Sequence, residues 1–183
     1  MVLISPDSER TMHTYLGITA ELTAEQIDFE PLKTAKWLYI EGYLSTSDTA
    51  RIAVKQAREL AKAHGVKIAL SLSDPAMVQY ARQGLEELLD DGVDLLFCNE
   101  QEALMFTNTE NLDDAIAALK SNNQHIVITQ GANGATIIEP KQQFHVAGRH
   151  VEAVDTNGAG DAFAGAFLYA LNAGLSLGAA AQL

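Results

Sequence analysis

The residues of this chain best suited to chemistry form one segment, which runs from Asp155 to Asp161 with the sequence Asp-Thr-Asn-Gly-Ala-Gly-Asp. Gly158, Ala159 and Gly160 leave the main chain almost bare, so a phosphate group can lie against consecutive N–H groups where a helix begins. Asp161 places a carboxylate, able to take a proton from an alcohol, beside that anion site. The segment therefore predicts phosphoryl transfer to a hydroxyl group.

A second interpretation of the same segment is structural. Glycine-rich turns that end in Asp begin many helices, in which the carboxylate caps free N–H groups and complements the helix dipole. The following residues, 162–171, are small or apolar and predict a buried helix. From the segment alone both interpretations stay open, so the rest of the chain has to decide between them.

Composition limits the kinds of partner that this chain can have. Its 183 residues are 48% hydrophobic, which is enough for one domain with a substantial core. The formal net charge of -12 repels nucleic acid and anionic membrane surfaces, so a small-molecule partner is expected. The absence of a signal-like N-terminus and of a long apolar run favours a cytoplasmic location without membrane contact.

The one cysteine and the histidines give little sign of chemistry. Cys98 ends an apolar run, so it is predicted to be a buried core residue rather than a catalytic thiol. The five histidines show no spacing typical of metal ligands.

Short apolar runs alternate with helix-like sequence along most of the chain. The runs predicted to be strands are 37–40, 66–70, 93–97 and 126–129. Helices are predicted over 48–64 and from the cap at Ser73-Asp74-Pro75 to Leu89. Strands that are apolar throughout are covered on both faces, which predicts an α/β fold with a doubly wound, mainly parallel sheet.

Two hairpins are predicted outside this alternating pattern. Residues 134–139 and 143–147 predict an antiparallel pair that precedes the Asp155 to Asp161 segment. At the N-terminus, residues 2–5 and 10–15 flank the turn Pro6-Asp7-Ser8. Because two strands alone are only marginally stable, this hairpin, within 1–17, is expected to lie over the site as a lid or to form a homodimer. The α/β core is expected to occupy 36–183 of a single domain.

Three separated motifs together carry a resemblance to a known family. They are Asn99-Glu100-Gln101-Glu102 after one predicted strand, Thr129-Gln130-Gly131-Ala132-Asn133-Gly134 after another, and the segment from Asp155 to Asp161. In this order they resemble the ribokinase-like, or PfkB, family of carbohydrate and nucleoside kinases, particularly its adenosine kinase-like members. The usual family form of the last motif is Asp-Thr-Thr-Gly-Ala-Gly-Asp, so Asn157 replaces a threonine here.

The resemblance implies a role for each matching residue. Asp161 is expected to be the general base, and the amides of residues 158–160 are expected to form the anion hole for the moving phosphoryl group. Asn99 and Glu102 match the motif that orders Mg²⁺, its waters and the triphosphate of ATP. An Asn followed three residues later by a Glu is also the pattern of a helix capping box, and that structural interpretation stays open.

The remaining matches lie on the other loops. The resemblance implies that Thr129, Gly131 and Gly134 line the ATP phosphates and ribose. It implies that Asp155 and Asn157 offer oxygens to a potassium ion. Arg10 and Met12 are implied to belong to a lid over the acceptor. For Arg10 and Met12 an ordinary exposed strand is the equal alternative, and the replacement at Asn157 puts the potassium site in question.

The leading hypothesis is therefore an ATP- and Mg²⁺-dependent kinase for a primary hydroxyl of a sugar or nucleoside, such as adenosine or a ribose- or fructose-like acceptor. Family members are longer at both ends, so the chain is expected to be a fragment. The main alternative is a catalytically incomplete fragment that only binds nucleotide or serves as an interaction module. A dinucleotide-binding oxidoreductase is disfavoured because Phe163 stands where a third glycine is required. A P-loop NTPase is disfavoured because a Walker sequence is lacking.

Overall fold

A hairpin stands at the start of the chain in the computed structural model, which describes residues 2–5, 10–12, 15 and 17–183. Strands β1 (Val2–Ile4) and β2 (Arg10–Met12) pair antiparallel, with Val2 opposite Met12, and form a two-stranded sheet of their own. The predicted turn Pro6-Asp7-Ser8 lies outside the described residues. The strand pairing expected from the N-terminal sequence is therefore present.

A six-stranded sheet forms the centre of the molecule. Its strands, in chain order and in spatial order alike, are β3 (Trp37–Glu41), β4 (Lys67–Ser71), β5 (Leu95–Asn99), β6 (His125–Thr129), β7 (Ala135–Ile138) and β8 (Gln143–Val146). Strands β3 to β6 run parallel, whereas β7 and β8 add as an antiparallel hairpin. The predicted strands and the change from parallel to antiparallel pairing are confirmed.

Helices cover both faces of this sheet, as a doubly wound fold requires. They are α1 (Asp48–Ala63), α2 (Pro75–Tyr80), α3 (Arg82–Leu89), α4 (Glu100–Thr107), α5 (Leu112–Leu119), α6 (Ala159–Asn172) and α7 (Leu177–Ala180). Helices α1 to α5 pack on one face and share its apolar core, which includes buried Cys98. Helices α6 and α7 pack on the other face. None of the described helices combines the length and hydropathy that a membrane crossing requires.

The helix predicted to run from the Ser73-Asp74-Pro75 cap to Leu89 is two helices in the structure. The chain leaves helical geometry at Ala81, where φ is -126° and ψ is 27°, and α3 starts at the next residue. The start of α3 makes contacts with residues distant in sequence. A Cβ atom on Gly84 would clash with the Ser45 carbonyl oxygen, and Arg82 donates a hydrogen bond to the Met105 carbonyl at 3.2 Å. The single-helix prediction was wrong because neither contact leaves a local signal.

The prediction of a buried helix over 162–171 was wrong for one side of the helix, where Ala162, Gly165 and Tyr169 are exposed. Ala164, Phe167 and Ala170 are buried against the sheet, but Tyr169 is 72% exposed. Only one face of α6 contacts β-strands, so small and apolar residues on its other face meet solvent. Composition indicated a helix surrounded by protein, whereas the fold buries a single stripe of it.

Candidate active site

The carboxyl ends of the parallel strands bring four polar residues to one edge of the sheet. Glu41, Ser71, Asn99 and Thr129 are the last residues of β3, β4, β5 and β6. In the register of the sheet Glu41 lies opposite Ser71, and Asn99 lies opposite Thr129. Ligand sites in open α/β sheets form outside this edge. The sequence motifs at 99–102 and 129–134 both begin here.

Aromatic packing fixes α6 over the same edge. The rings of Phe163 and Phe167 lie 5.8 Å apart, Phe167 lies 5.4 Å from Phe97 on β5, and Phe97 lies 6.4 Å from Tyr39 on β3. Asp161 precedes Phe163 by two residues, in the first turn of α6. The row of rings therefore sets the position of the Asp161 carboxylate relative to the strand ends.

The glycine loop leaves main-chain donors open at the start of α6. Gly158 adopts a left-handed conformation with φ of 74°, and Cβ atoms built on Gly158 and Gly160 would meet nothing within 4 Å. The amide of Ala159 donates to the Thr156 carbonyl at 3.2 Å. Within the described part of the chain, the amides of Gly158 and Gly160 have no intramolecular acceptor. Two of the three predicted donors are thus unused by the described part of the chain.

Asp161 is exposed and stands apart from the hydrogen bonds of its own helix start. The N-cap position of α6 is Gly158, and that turn has no side-chain cap. Of the structural interpretation of Asp161, the capping hydrogen bond is absent from the described contacts, whereas its place in the first turn of α6 agrees with the dipole part. The negative charge of Asp161 contributes to raising the pKa of Glu41, where partial desolvation at the strand end is the larger cause although Glu41 itself is exposed. The structure brings Asp161 and Glu41 into one electrostatic neighbourhood.

The capping box predicted as the alternative for Asn99 and Glu102 is formed. The Asn99 Oδ1 atom accepts a hydrogen bond from the Glu102 amide at 2.7 Å, and the Glu102 Oε2 atom accepts one from the Asn99 amide at 2.9 Å. The Asn99 side-chain amide also donates to Glu102 Oε1 at 2.8 Å. Glu102 is only 4% exposed. This arrangement fixes the carboxylate at the N-terminus of α4, whatever further role it has.

Gln130 links the second and first motifs and was missed in the sequence. Its side-chain amide donates to Glu100 Oε2 at 2.9 Å, and its Oε1 atom accepts from Thr136 Oγ1 at 2.8 Å. Its main-chain amide donates to the Gly134 carbonyl at 2.8 Å. A glutamine carries no signal of this role, because the contact with Glu100 depends on the pairing of β5 with β6.

The two glycines of that loop differ in what they require. Gly134 has φ of 99°, and a Cβ atom there would clash with the Val146 carbonyl oxygen, so only glycine fits. Gly131 has φ of 57° with open space beside it, and Thr129 ends β6 immediately before the loop. The loop therefore combines a tightly packed end at Gly134 with an open end at Gly131.

Glu41 is the other residue that sequence analysis missed. Side chains alternate along a strand, so Glu41 shares the face of β3 on which Trp37 and Tyr39 pack with the core of α6. Burial, followed by the charges of Glu41, Asp161 and Glu102, raises the pKa of Tyr39 to about 12. Three carboxylates thus act on one tyrosine at this edge. In the sequence, Glu41 is visible only as an acidic residue that ends an apolar strand. Its relation to the site becomes clear only from the position of α6 in the structure.

The remaining predicted site residues occupy two places. Asp155 and Asn157 are exposed, and Asp155 Oδ1 accepts a hydrogen bond from the Asn157 amide at 2.7 Å. Arg10 and Met12 lie in β2, opposite Ile4 and Val2, and their side chains lie outside the described part of the structure.

The acidic edge suits a metal ion that arrives with a nucleotide. In the part of the chain that the structure describes, there is no group of three or more His, Cys, Asp or Glu side chains placed to hold a metal by itself. Mg²⁺ commonly keeps several waters and is held by one or two carboxylates together with substrate phosphates. The fixed Glu102 carboxylate and the open amides of Gly158 and Gly160 fit that mode of binding.

Comparisons with known proteins point to one group of enzymes. A family model described as pfkB family carbohydrate kinase matches residues 1–183. Probable fructokinase-3 of Arabidopsis thaliana is 29% identical over 177 residues, covering 91% of this chain and 50% of that relative. The adenosine kinase of Sinorhizobium meliloti superimposes with a TM-score of 0.94 at 35% identity, covering 99% of this chain and 56% of that one.

A solved structure with bound ligands is also similar. It is a putative ribokinase II from E. coli in complex with ATP and Mg²⁺, with a TM-score of 0.85 at 27% identity, covering 95% of this chain and 58% of that one. The chain spans about half the length of the curated relatives it matches.

Proposed function

This chain belongs to the pfkB family of carbohydrate kinases, and from that premise we propose that it transfers the γ-phosphoryl group of ATP to a primary hydroxyl of a sugar or nucleoside. The observation that carries the proposal is the exposed Asp161 carboxylate beside the open amides of Gly158 and Gly160. The names fructokinase and adenosine kinase among its relatives support the two acceptor classes.

Asp161 is proposed to act as the general base. Its carboxylate accepts the proton of the acceptor hydroxyl while the hydroxyl oxygen forms a bond to the γ-phosphorus. The bond between that phosphorus and the bridging oxygen breaks, and its electron pair leaves with ADP. Exposure of the carboxylate supports this role, because the proton donor has to reach it from outside the packed core.

The amides of Gly158 and Gly160 are proposed to donate hydrogen bonds to the transferred phosphoryl group. They are main-chain groups at a helix N-terminus, where the helix dipole favours negative charge. Losing one preorganised donor of this kind costs about 3 kcal/mol of transition-state stabilisation. The Ala159 amide can join them only if its bond to the Thr156 carbonyl opens.

The nucleotide is proposed to lie along the strand ends between α4 and the Thr129 to Gly134 loop. Thr129, Gly131 and Gly134 would line its phosphates and ribose. Asn99 and Glu102 would hold Mg²⁺ through its waters, and the ion would supply neutralisation of the phosphate charge. Asp155 and Asn157 are the proposed oxygen ligands for K⁺.

Glu41 is proposed to accept a hydrogen bond from a second hydroxyl of the acceptor. It shares an edge and a face of the sheet with the start of α6, and the charge of Asp161 acts on its pKa. A hydroxyl-rich, uncharged acceptor suits a pair of carboxylates. The β1–β2 hairpin, with Arg10 and Met12, is proposed as the lid over this acceptor.

A phosphotransfer assay tests the proposed function. The chain is incubated with ATP and Mg²⁺ and with D-fructose, D-ribose or adenosine, and ADP and the phosphorylated product are both measured. Formation of equal amounts of the two with one acceptor supports the kinase. The half-length match to relatives favours a second candidate, a fragment that only binds nucleotide. Calorimetric binding of ATP without turnover on any acceptor would select that fragment and overturn the kinase proposal.

A further inference from the structure

Ser73 has a main-chain conformation that its surroundings have to explain. Three non-glycine residues in the described part of the chain have positive φ: Ser73 at 72°, Asp90 at 29° and Asn108 at 55°. Asn108 is the C-cap of α4 in the left-handed conformation that is common there, and Asp90 is the C-cap of α3. Ser73 instead follows strand β4 at the edge that carries the candidate active site. Such strain persists where neighbouring contacts hold it.

Three hydrogen bonds hold Ser73 in place, one of which its hydroxyl donates to the Ser71 carbonyl at 3.4 Å. Its amide donates to Ser71 Oγ at 3.1 Å, and its own Oγ accepts from the Gly42 amide at 2.8 Å. Gly42 is buried, and a Cβ atom on it would lie 2.6 Å from the Leu72 carbonyl oxygen and 2.8 Å from that of Ser71. The main chain of Gly42 is therefore fixed on one side by close packing and on the other by the Ser73 hydroxyl.

Gly42 directly follows Glu41, so whatever fixes Gly42 also fixes the end of β3. We propose that Ser73 is a positioning residue, which holds the Glu41 carboxylate at the strand-end edge by binding the Gly42 amide. The catalytic consequence of this proposal rests on the proposed function, whereas its structural part does not. Without Ser73 Oγ, the buried Gly42 amide loses its acceptor, and the strand end has to shift to find another.

Replacing Ser73 by glycine tests the role of the hydroxyl without adding backbone strain. Ser73→Gly removes the hydroxyl and its two hydrogen bonds, but glycine also suits the positive φ, so this loss is partly offset by relief of strain. Asn108→Gly is the matched control, because it makes the same backbone change at the far end of α4, away from the site. Both variants are expected to fold, and urea denaturation checks that they do.

The structural part is tested by NMR titration of side-chain carboxyl carbons in the 183-residue chain, with the Glu41 signal assigned by its absence in Glu41→Gln. Partial desolvation and the Asp161 charge raise the pKa of the exposed Glu41 carboxylate. We expect Ser73→Gly to move this pKa back toward the ordinary glutamate value and Asn108→Gly to leave it in place. An unchanged Glu41 titration in Ser73→Gly would overturn the proposal.

The catalytic part is tested with the acceptor that the unmodified chain phosphorylates. In Ser73→Gly the KM for that acceptor should rise about tenfold, while the KM for ATP stays within about twofold, because only acceptor placement is disturbed. Equal changes in both KM values would indicate a general structural effect and contradict the positioning role. If the unmodified chain phosphorylates none of the acceptors, the kinase proposal fails, and the titration still decides the role of Ser73.

Discussion

Single carboxylates at the strand ends differ in what surrounds them. Glu102 is fixed by Asn99 in a capping box, Asp161 is exposed at the start of α6, and Glu41 lies at the end of β3 under the influence of Asp161. A raised carboxyl pKa means that the folded state binds the proton more tightly than the unfolded chain does. Ionised Glu41 is therefore a cost to folding that the site retains.

Replacing Glu41 by Gln should stabilise the fold at neutral pH and lower phosphotransfer. The free energy of unfolding contributed by Glu41 falls as pH rises from the ordinary pKa of 4.5 through its raised value in the folded state. The advantage of Glu41→Gln should therefore be present at neutral pH and disappear below pH 4.5. Urea denaturation of both proteins across this range measures it. If Glu41→Gln stabilised the fold equally at neutral pH and below pH 4.5, the raised pKa of Glu41 would be contradicted.

Two glycines near the start of α6 should respond in opposite ways to alanine. Gly158 has φ of 74°, so Gly158→Ala should cost about 1 kcal/mol in stability although the added Cβ meets no atom. Gly165 lies inside the helix with open space beside it, so Gly165→Ala should stabilise by roughly 0.5–1 kcal/mol. Urea denaturation compares the two. Stabilisation by Gly158→Ala would contradict the positive φ of Gly158.

Sequence reasoning reached some site residues and missed others for a physical reason. The glycines and Asp of 155–161 sit together in the chain, so their shared chemistry is visible locally. Glu41, Ser73 and Gln130 act across the sheet, and their partners are fixed by strand register and by α6. Their residue types are ordinary, and only the parallel pairing places them at one edge.

At the scale of elements, several residues of the candidate site lie at the first turns of helices. Helix α4 begins with the Asn99 capping box, and α5 begins with Asn111, whose Oδ1 accepts from the Asp114 amide at 3.0 Å. The two helices therefore have the same cap residue in different surroundings. The boundaries of α1, β4 and β6 followed from local pattern to within one residue, whereas β5 lies two residues later than predicted. The break between α2 and α3 did not, because it depends on the approach of Gly84 to Ser45.

Variants of the two asparagine caps distinguish an effect on stability from an effect on nucleotide binding. Asn99→Ala and Asn111→Ala should each cost about 1 kcal/mol of stability by removing a helix cap. Only Asn99→Ala should weaken binding of ATP with Mg²⁺, by about tenfold, as expected for a group that acts through a metal's waters. Denaturation and titration calorimetry measure the two effects. Equal ATP affinity in both variants would leave Asn99 with a capping role alone.

At the scale of the whole molecule, apolar surface on the hairpin is the feature that the fold leaves unexplained. Val2, Leu3 and Ile4 are 43%, 50% and 40% exposed, and β1 and β2 form a separate two-stranded sheet. An isolated pair of strands is marginally stable in water. Pairing with a second copy of the chain would cover both the apolar side chains and the free strand edges.

The hairpin is therefore expected to support a homodimer. Light scattering on a size-exclusion column should give a dimer mass for the unmodified chain. Leu3→Glu should shift it to a monomer, because a charge would be placed in the interface. Ile52→Glu on α1, at an exposed apolar position outside the hairpin, is the control and should stay dimeric. A monomer mass for the unmodified chain at every concentration would contradict the expectation.

The most direct test of the whole account is the turnover rate of Asp161→Asn. The variant keeps the size of the side chain but removes the base, so kcat should fall by about 100-fold or more, as for loss of a general base. Its affinity for ATP, measured by calorimetry, should stay near that of the unmodified chain, and Asp113→Asn on the exposed start of α5 should keep full activity. Undiminished kcat in Asp161→Asn would contradict the mechanism proposed for this chain.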